Sequence, residues 1–231
     1  QQASGGPTLW AVGQRRKKTE AAIWRRSAEG HWTAERTPTP TLIHLFAVDG
    51  SSAGEVFAVG KTGNLGLAFT YDPKTGDWTE QRFSDAFQWI EARDVAVAGP
   101  GVAYAVGQRS SRLRFWLFKN GVWHLDQGLP GIARTICVTH DGPGHQPYAG
   151  GSGVWKREQS DWVPLSGGKQ PTNVVSMRSN GEHVFASDGT KLWSYDGTLW
   201  RAKPLPQGEK PRALWVSKSW LWVTTQTGRV W

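Results

Sequence analysis

Residues 41–83 read TLIHLFAVDG SSAGEVFAVG KTGNLGLAFT YDPKTGDWTE QRF, and four short runs inside them decide the fold. The runs are 41–48, 55–61, 67–72 and 77–83. Each is rich in β-branched and aromatic residues and is bounded by Gly, Pro, Asp or Asn clusters that supply turns. Four such runs joined by short turns make one antiparallel sheet. The same order recurs at 89–129, 131–168 and 172–206. Residues 8–38 supply only the second, third and fourth runs of a copy, and residues 212–231 only the first, second and third.

Aromatic residues mark the copies in three columns. The first is Trp10, Phe57, Tyr104, Tyr148, Phe185 and Trp222, and the second is Trp24, Phe69, Trp116, Trp155, Trp193 and Trp231. The third, all tryptophan, is Trp32, Trp78, Trp123, Trp162 and Trp200. A period of roughly 40 residues built from short strands is the mark of radially repeated sheet. The expectation is therefore an all-β fold: a β-propeller of four-stranded antiparallel blades, about six in number, with the first and last incomplete. It is expected to fill residues 8–231 as a single domain behind a tether at residues 1–7. Because each end lacks a different strand, further chain is expected to complete the last blade.

Composition agrees with many strands and turns. Of 231 residues, 38% are hydrophobic and 20% charged, with 28 Gly and 13 Pro, which excludes a helical or a disordered chain. No apolar run is long enough to cross a bilayer. The single cysteine, Cys137, sits in an alternating Thr135-Ile136-Cys137-Val138 run and reads as an inert core thiol. The polar opening Gln1-Gln2-Ala3-Ser4-Gly5-Gly6-Pro7 reads as a tether exposed by processing. That favours an extracytoplasmic protein, periplasmic, cell-surface or secreted, and leaves a cytoplasmic one open.

The segment Tyr71-Asp72-Pro73-Lys74-Thr75-Gly76-Asp77-Trp78 resembles the third-to-fourth-strand signature of kelch-type propellers. Ser194-Tyr195-Asp196-Gly197-Thr198-Leu199-Trp200 resembles a shortened Asp-box. With Ala-Val-Gly at 11–13, 58–60 and 105–107, the chain is similar to bacterial propeller repeat proteins, many of them secreted or lipid-anchored. The resemblance implies a fold and no activity. A regular Gly-Gly pair in the second strand, expected of kelch repeats, occurs only at Gly150-Gly151, and the arginine triad of sialidases is absent.

Chemistry-bearing patterns are sparse. Gly54 to Thr62 imitates a phosphate loop but has five residues between its glycines and is itself a strand. The six histidines lack ligand spacing, and His140 and His145 flank Asp141 in what reads as a solvated turn. Of the acids on inner strands, Asp49, Glu91, Asp94 and Asp141, no two pair as a hydrolase requires, and Glu91 and Asp94 are expected on opposite faces. No metal or cofactor is implied. The tryptophan columns read as blade-packing core rather than as sugar-stacking platforms, leaving Phe87, Trp89, Trp215 and Trp220 freer to face solvent.

Charge carries the functional reading. The net charge is +8. In a propeller the loops joining second to third strands share one face with those joining blades. In this chain they collect Arg15, Arg16, Lys17, Lys18, Lys61, Arg109, Arg112, Lys191 and Arg229 against Glu20, Asp85, Asp188 and Glu209, while most acids collect on the other face, with Lys74 and Lys119 as the main exceptions there. Such a dipole draws anionic partners. The chain reads as a non-catalytic interaction platform that docks an acidic protein surface on loops 14–19, 60–66 and 107–113. Anionic polysaccharide and nucleic acid are alternative partners. A carbohydrate-binding propeller is the second reading, and a glycoside hydrolase or lyase the third.

Overall fold

The 55–61 run forms a strand because Val56, Phe57, Ala58 and Val59 all meet protein on both sides, a fully buried ribbon that helix would leave half exposed. It is β5 (Val56–Thr62), paired with β4 (His44–Gly50) and β6 (Leu65–Asp72), and β7 (Asp77–Arg82) closes the sheet. This computed structural model describes residues 8–14, 22–38, 43–83, 90–109, 112–130, 132–141, 144–165, 168–217 and 220–231.

Six antiparallel sheets follow in chain order. Blade 1 holds β1 (Leu9–Val12), β2 (Ile23–Arg26) and β3 (Trp32–Ala34). Blade 2 is β4 to β7. Blade 3 holds β8 (Ile90–Gly99), β9 (Val102–Arg109), β10 (Arg112–Lys119) and β11 (Val122–Pro130). Blade 4 holds β12 (Ala133–Asp141), β13 (Gly144–Gly151), β14 (Val154–Glu158) and β15 (Asp161–Pro164). Blade 5 holds β16 (Ser176–Ser179), β17 (Val184–Ser187), β18 (Leu192–Tyr195) and β19 (Trp200–Lys203). Blade 6 holds β20 (Pro211–Val216) and β21 (Leu221–Thr225). Its third strand is present only as a short return, in which Val223 and Trp231 exchange backbone hydrogen bonds of 2.9 and 3.0 Å. The incomplete first and last sheets match the sequence expectation.

The first strands of successive blades touch in order around an axis, β4 against β8, β8 against β12, β12 against β16 and β16 against β20, with β1 against β4. The core lies between blades, and the aromatic columns fill it. Phe57 of blade 2 meets Phe118 and Trp123 of blade 3 edge-on at 4.9 and 6.1 Å. Phe115 of blade 3 stacks on Trp162 of blade 4 at 3.9 Å. Trp10 of blade 1 meets Tyr71 and Trp78 of blade 2 at 5.0 and 5.3 Å. Each fully buried aromatic contributes about 1.5–3 kcal/mol, so the columns carry much of the stability. Trp215 and Trp220 are exposed, as expected. Phe87 and Trp89 lie outside the described residues.

A bulge recurs at one place in the inner strands. The ladder skips a residue between Leu45 and Ala47, between Ala92 and Asp94, between Ala133 and Thr135, and between Pro211 and Ala213. The second strand accommodates each of the first three with a glycine. A Cβ on Gly60, Gly107 or Gly151 would lie 1.9, 2.0 or 1.8 Å from the carbonyl oxygen of His44, Glu91 or Ile132. This is the physical reason for the glycine of Ala-Val-Gly in blades 2 and 3 and for Gly151 in blade 4. Gly13, in blade 1, where the described residues include no inner strand, meets nothing closer than Trp24 at 3.5 Å.

Candidate functional site

After the bulges of blades 3 and 4 the next residue, Asp94 or Thr135, reaches to the following blade and accepts a backbone N–H there. Asp94 Oδ2 accepts Ile136 N–H at 3.0 Å and the Thr135 hydroxyl at 2.7 Å. Thr135 Oγ1 in turn accepts Met177 N–H at 3.0 Å, and Ser176 Oγ accepts Leu214 N–H at 3.1 Å. In blade 2 the equivalent residue is Ala47, which has no acceptor. Asp49, two places on, takes Val97 N–H at 2.8 Å instead. These bonds form a strap from blade 2 to blade 6.

At the end where the inner strands finish, the channel opens into a cavity of about 620 Å³. Asp49, Arg178, Asn180, Trp10 and Trp215 are among its lining residues. Arg178 Nη1 donates to Asp94 Oδ2 at 3.0 Å and to the Met177 carbonyl at 2.6 Å, joining blade 5 to blade 3 past blade 4. The charge of Asp94 raises the Arg178 pKa. Asp49 is exposed toward the cavity, yet protein surrounds it. Desolvation raises its pKa, against the N–H groups of Val97 and Gly50, which favour the carboxylate. Burial likewise pushes the Cys137 thiol up, consistent with an inert core thiol.

The channel carboxylates are thus committed to backbone and guanidinium partners. Both oxygens of Asp49 accept N–H groups, and Asp94 accepts four donors, including Val95 N–H at 3.0 Å. Glu91 turns back to Lys61 of blade 2 while Asp94 turns forward, so the two face different neighbours, as expected. Among the described residues no group of three or more His, Cys, Asp or Glu gathers as a metal site. No described helix is long and apolar enough to cross a membrane.

The cations singled out from the sequence fall on connections between second and third strands. Lys61 is the penultimate residue of β5 and pairs with Glu91, which Arg93 also contacts. Arg112 opens β10 and Lys191 precedes β18, both exposed. Arg229 follows β21 and pairs with Glu209 at 3.2 Å. Arg109 ends β9, paired with Ile90 and Arg112 in the ladder. Arg15, Arg16, Lys17 and Lys18 lie outside the described residues, as does the body of the 14–19 loop.

Three arginines passed over in the sequence occupy the bulges at this same end: Arg93, Arg134 and Arg212. Their signal was present as Ala-Arg-Asp-Val, Ala-Arg-Thr-Ile and Pro-Arg-Ala-Leu, one arginine at one register in three inner strands. It is invisible until the strand phases are aligned through the bulge.

Sheets of this kind set around a channel define the chain as a β-propeller of five to six blades. Solved structures agree. Virginiamycin B lyase from Staphylococcus aureus superposes with a TM-score of 0.67 at 9% identity, over 96% of this chain and 75% of that one. YCF48 from Cyanidioschyzon merolae superposes with a TM-score of 0.61 at 16% identity, over 85% and 68%. A YCF48 structure with bound D1 peptide gives 0.62 at 15% identity, over 86% and 67%. No protein-family profile matches the sequence, and no curated protein sequence matches it. At these identities the likeness is one of fold.

Proposed function

We propose that this propeller is a non-catalytic interaction module that docks an acidic protein surface on the end carrying the second-to-third-strand connections. The observation behind the reading is the convergence there of Lys61, Arg109, Arg112, Lys191 and Arg229 from four blades. Arg15, Arg16, Lys17 and Lys18 belong to the corresponding connection of blade 1. Nothing in the turns requires cations, since Gly, Asn or Ser would serve the backbone as well. Focused positive charge accelerates encounter with an acidic partner and makes the association sensitive to salt. The commitment of Asp49 and Asp94 to the strap supports a module without acid–base chemistry. YCF48, solved with a peptide bound, is an example of this fold used for peptide recognition.

The test is binding of the whole chain to an immobilised acidic protein at low and raised salt. Variants reversing Arg112 and Lys191, and Arg15 to Lys18, should bind much more weakly at low salt. Binding that is indifferent to both salt and reversal overturns the reading.

A sugar-binding reading rests on a different observation, the cavity at the opposite end, where Trp10 and Trp215 stand near Asp49 and Asn180. Glycan-array binding that survives the loop reversals and is lost on Trp215→Ala would select it.

A further inference from the structure

We propose that Arg93, Arg134 and Arg212, raised on the bulges of three inner strands, form a cationic collar around the channel mouth. In this proposal the collar anchors a compact cluster of carboxylates on an acidic protein segment. The inference rests on the docking reading above and names its centre.

The geometry starts from the bulge. A bulged residue leaves the ladder, so its side chain is released from the alternation that sends its neighbours into the blade interfaces. The flanking residues show the contrast: Ala92 and Asp94 are buried, as are Ala133 and Thr135, while Arg134 between the latter pair is exposed and the Arg93 side chain is 39% exposed. Arg212 is exposed beside buried Pro211. The bulge of blade 2 holds Phe46, 39% exposed, and in blade 5, whose ladder has no bulge, Val175 just before β16 is 38% exposed. Adjacent members meet around the ring, since the Arg93 guanidinium lies 5.2 Å from the Phe46 ring centroid. Five blades therefore present one exposed or half-exposed side chain each near the start of the inner strand.

Charge here is unbalanced. Glu91 serves both Lys61 and Arg93, which leaves one positive charge from three groups. Among the described residues, Arg134 and Arg212 make no ion pair. Exposure is all the fold asks of a bulged residue, and Phe46 shows that an apolar side chain satisfies it. Arginine at three of five positions supplies planar forks suited to carboxylates. Three arginines gathered around one mouth fit a short acidic segment. A nucleic-acid backbone would instead call for a stripe of cations and open aromatic faces for stacking, and Arg93 already covers Phe46.

The experiment titrates the whole chain into a fluorescently labelled oligoglutamate peptide at low salt and reads anisotropy. The variants are Arg134→Glu, Arg212→Glu, their double, and the loop double Arg112→Glu with Lys191→Glu. Thermal midpoints check that each remains folded. Each collar reversal should weaken binding about tenfold, and the loop double only a few-fold. Full affinity in the collar double, with loss in the loop double, overturns the collar and leaves the docking face standing. Full affinity in both overturns the face as well. Tighter binding of a labelled single-stranded oligonucleotide, lost with the collar double, overturns the assignment to a protein partner.

Discussion

Asp94 and Arg178 belong to blades 3 and 5, and their ion pair at 3.0 Å passes beside the Thr135 hydroxyl of blade 4, so three blades meet on one carboxylate. Asp94 is 4% exposed. Removing it would leave the Arg178 guanidinium without its counter-charge and strip Ile136 N–H of its acceptor. We expect Asp94→Ala to cost about 1–3 kcal/mol, the range for leaving a buried donor unsatisfied, because the Arg178 side chain is itself 36% exposed. Asp94→Asn, which keeps one acceptor oxygen, should cost less. Urea denaturation of both variants checks the order, and equal costs would show that an acceptor oxygen without its charge does nothing for Arg178.

Gly107 and Gly13 occupy the same place in the Ala-Val-Gly repeat and face different surroundings. A methyl on Gly107 would meet the Glu91 carbonyl at 2.0 Å, and backbone there cannot yield cheaply. Gly107→Ala should destabilise by about 3 kcal/mol or more, at or beyond the upper end of ordinary overpacking. Gly13→Ala should stay within about 1 kcal/mol, because Trp24 at 3.5 Å is ordinary contact. Thermal midpoints of the two variants measure the difference.

Trp78 and Trp32 belong to one column but not to one environment. Trp78 is 7% exposed and packed against Trp10 and Tyr71, whereas Trp32 is 51% exposed on the outer strand of blade 1. We expect Trp78→Ala to cost about 3–5 kcal/mol and Trp32→Ala about 1 kcal/mol or less. Chemical denaturation of both decides whether the column stabilises by identity or by having a blade on either side.

That contrast also explains how far the sequence could be read. The strands of blades 2 to 5 were legible because alternation, turn residues and aromatic spacing all report the same local geometry, and Phe57, Trp116 and Trp123 are fully buried as their columns imply. The ends were legible as missing strands but not as exposed tryptophans. Trp222 and Trp231 repeat the pattern of buried residues, yet exposure depends on a neighbouring blade that no local pattern encodes. The loop cations could be sorted from strand order alone. Arg93, Arg134 and Arg212 could not, because a bulge shifts phase by one residue and hides an exposed position inside an apparently buried strand.

Asp188, in the turn between β17 and β18, ties pH to stability. Its Oδ1 accepts the N–H groups of Thr190 and Lys191 at 2.8 and 2.7 Å, and its Oδ2 accepts Trp193 Nε1–H at 2.7 Å. Burial alone would raise its pKa. The donors from Thr190, Lys191 and Trp193 together outweigh burial and lower it. The folded chain therefore binds this proton less readily than the unfolded chain. The stabilisation is complete above the ordinary aspartate pKa of about 3.9 and is lost as pH falls through the lower, folded value. In Asp188→Asn the amide cannot accept from Trp193 on its nitrogen side and does not titrate. The variant should be less stable than the parent at neutral pH, and the gap should close as the solution is acidified below about pH 4. Urea midpoints across that interval measure the gap, and a gap that stays constant with pH would mean that the carboxylate charge contributes nothing to this turn.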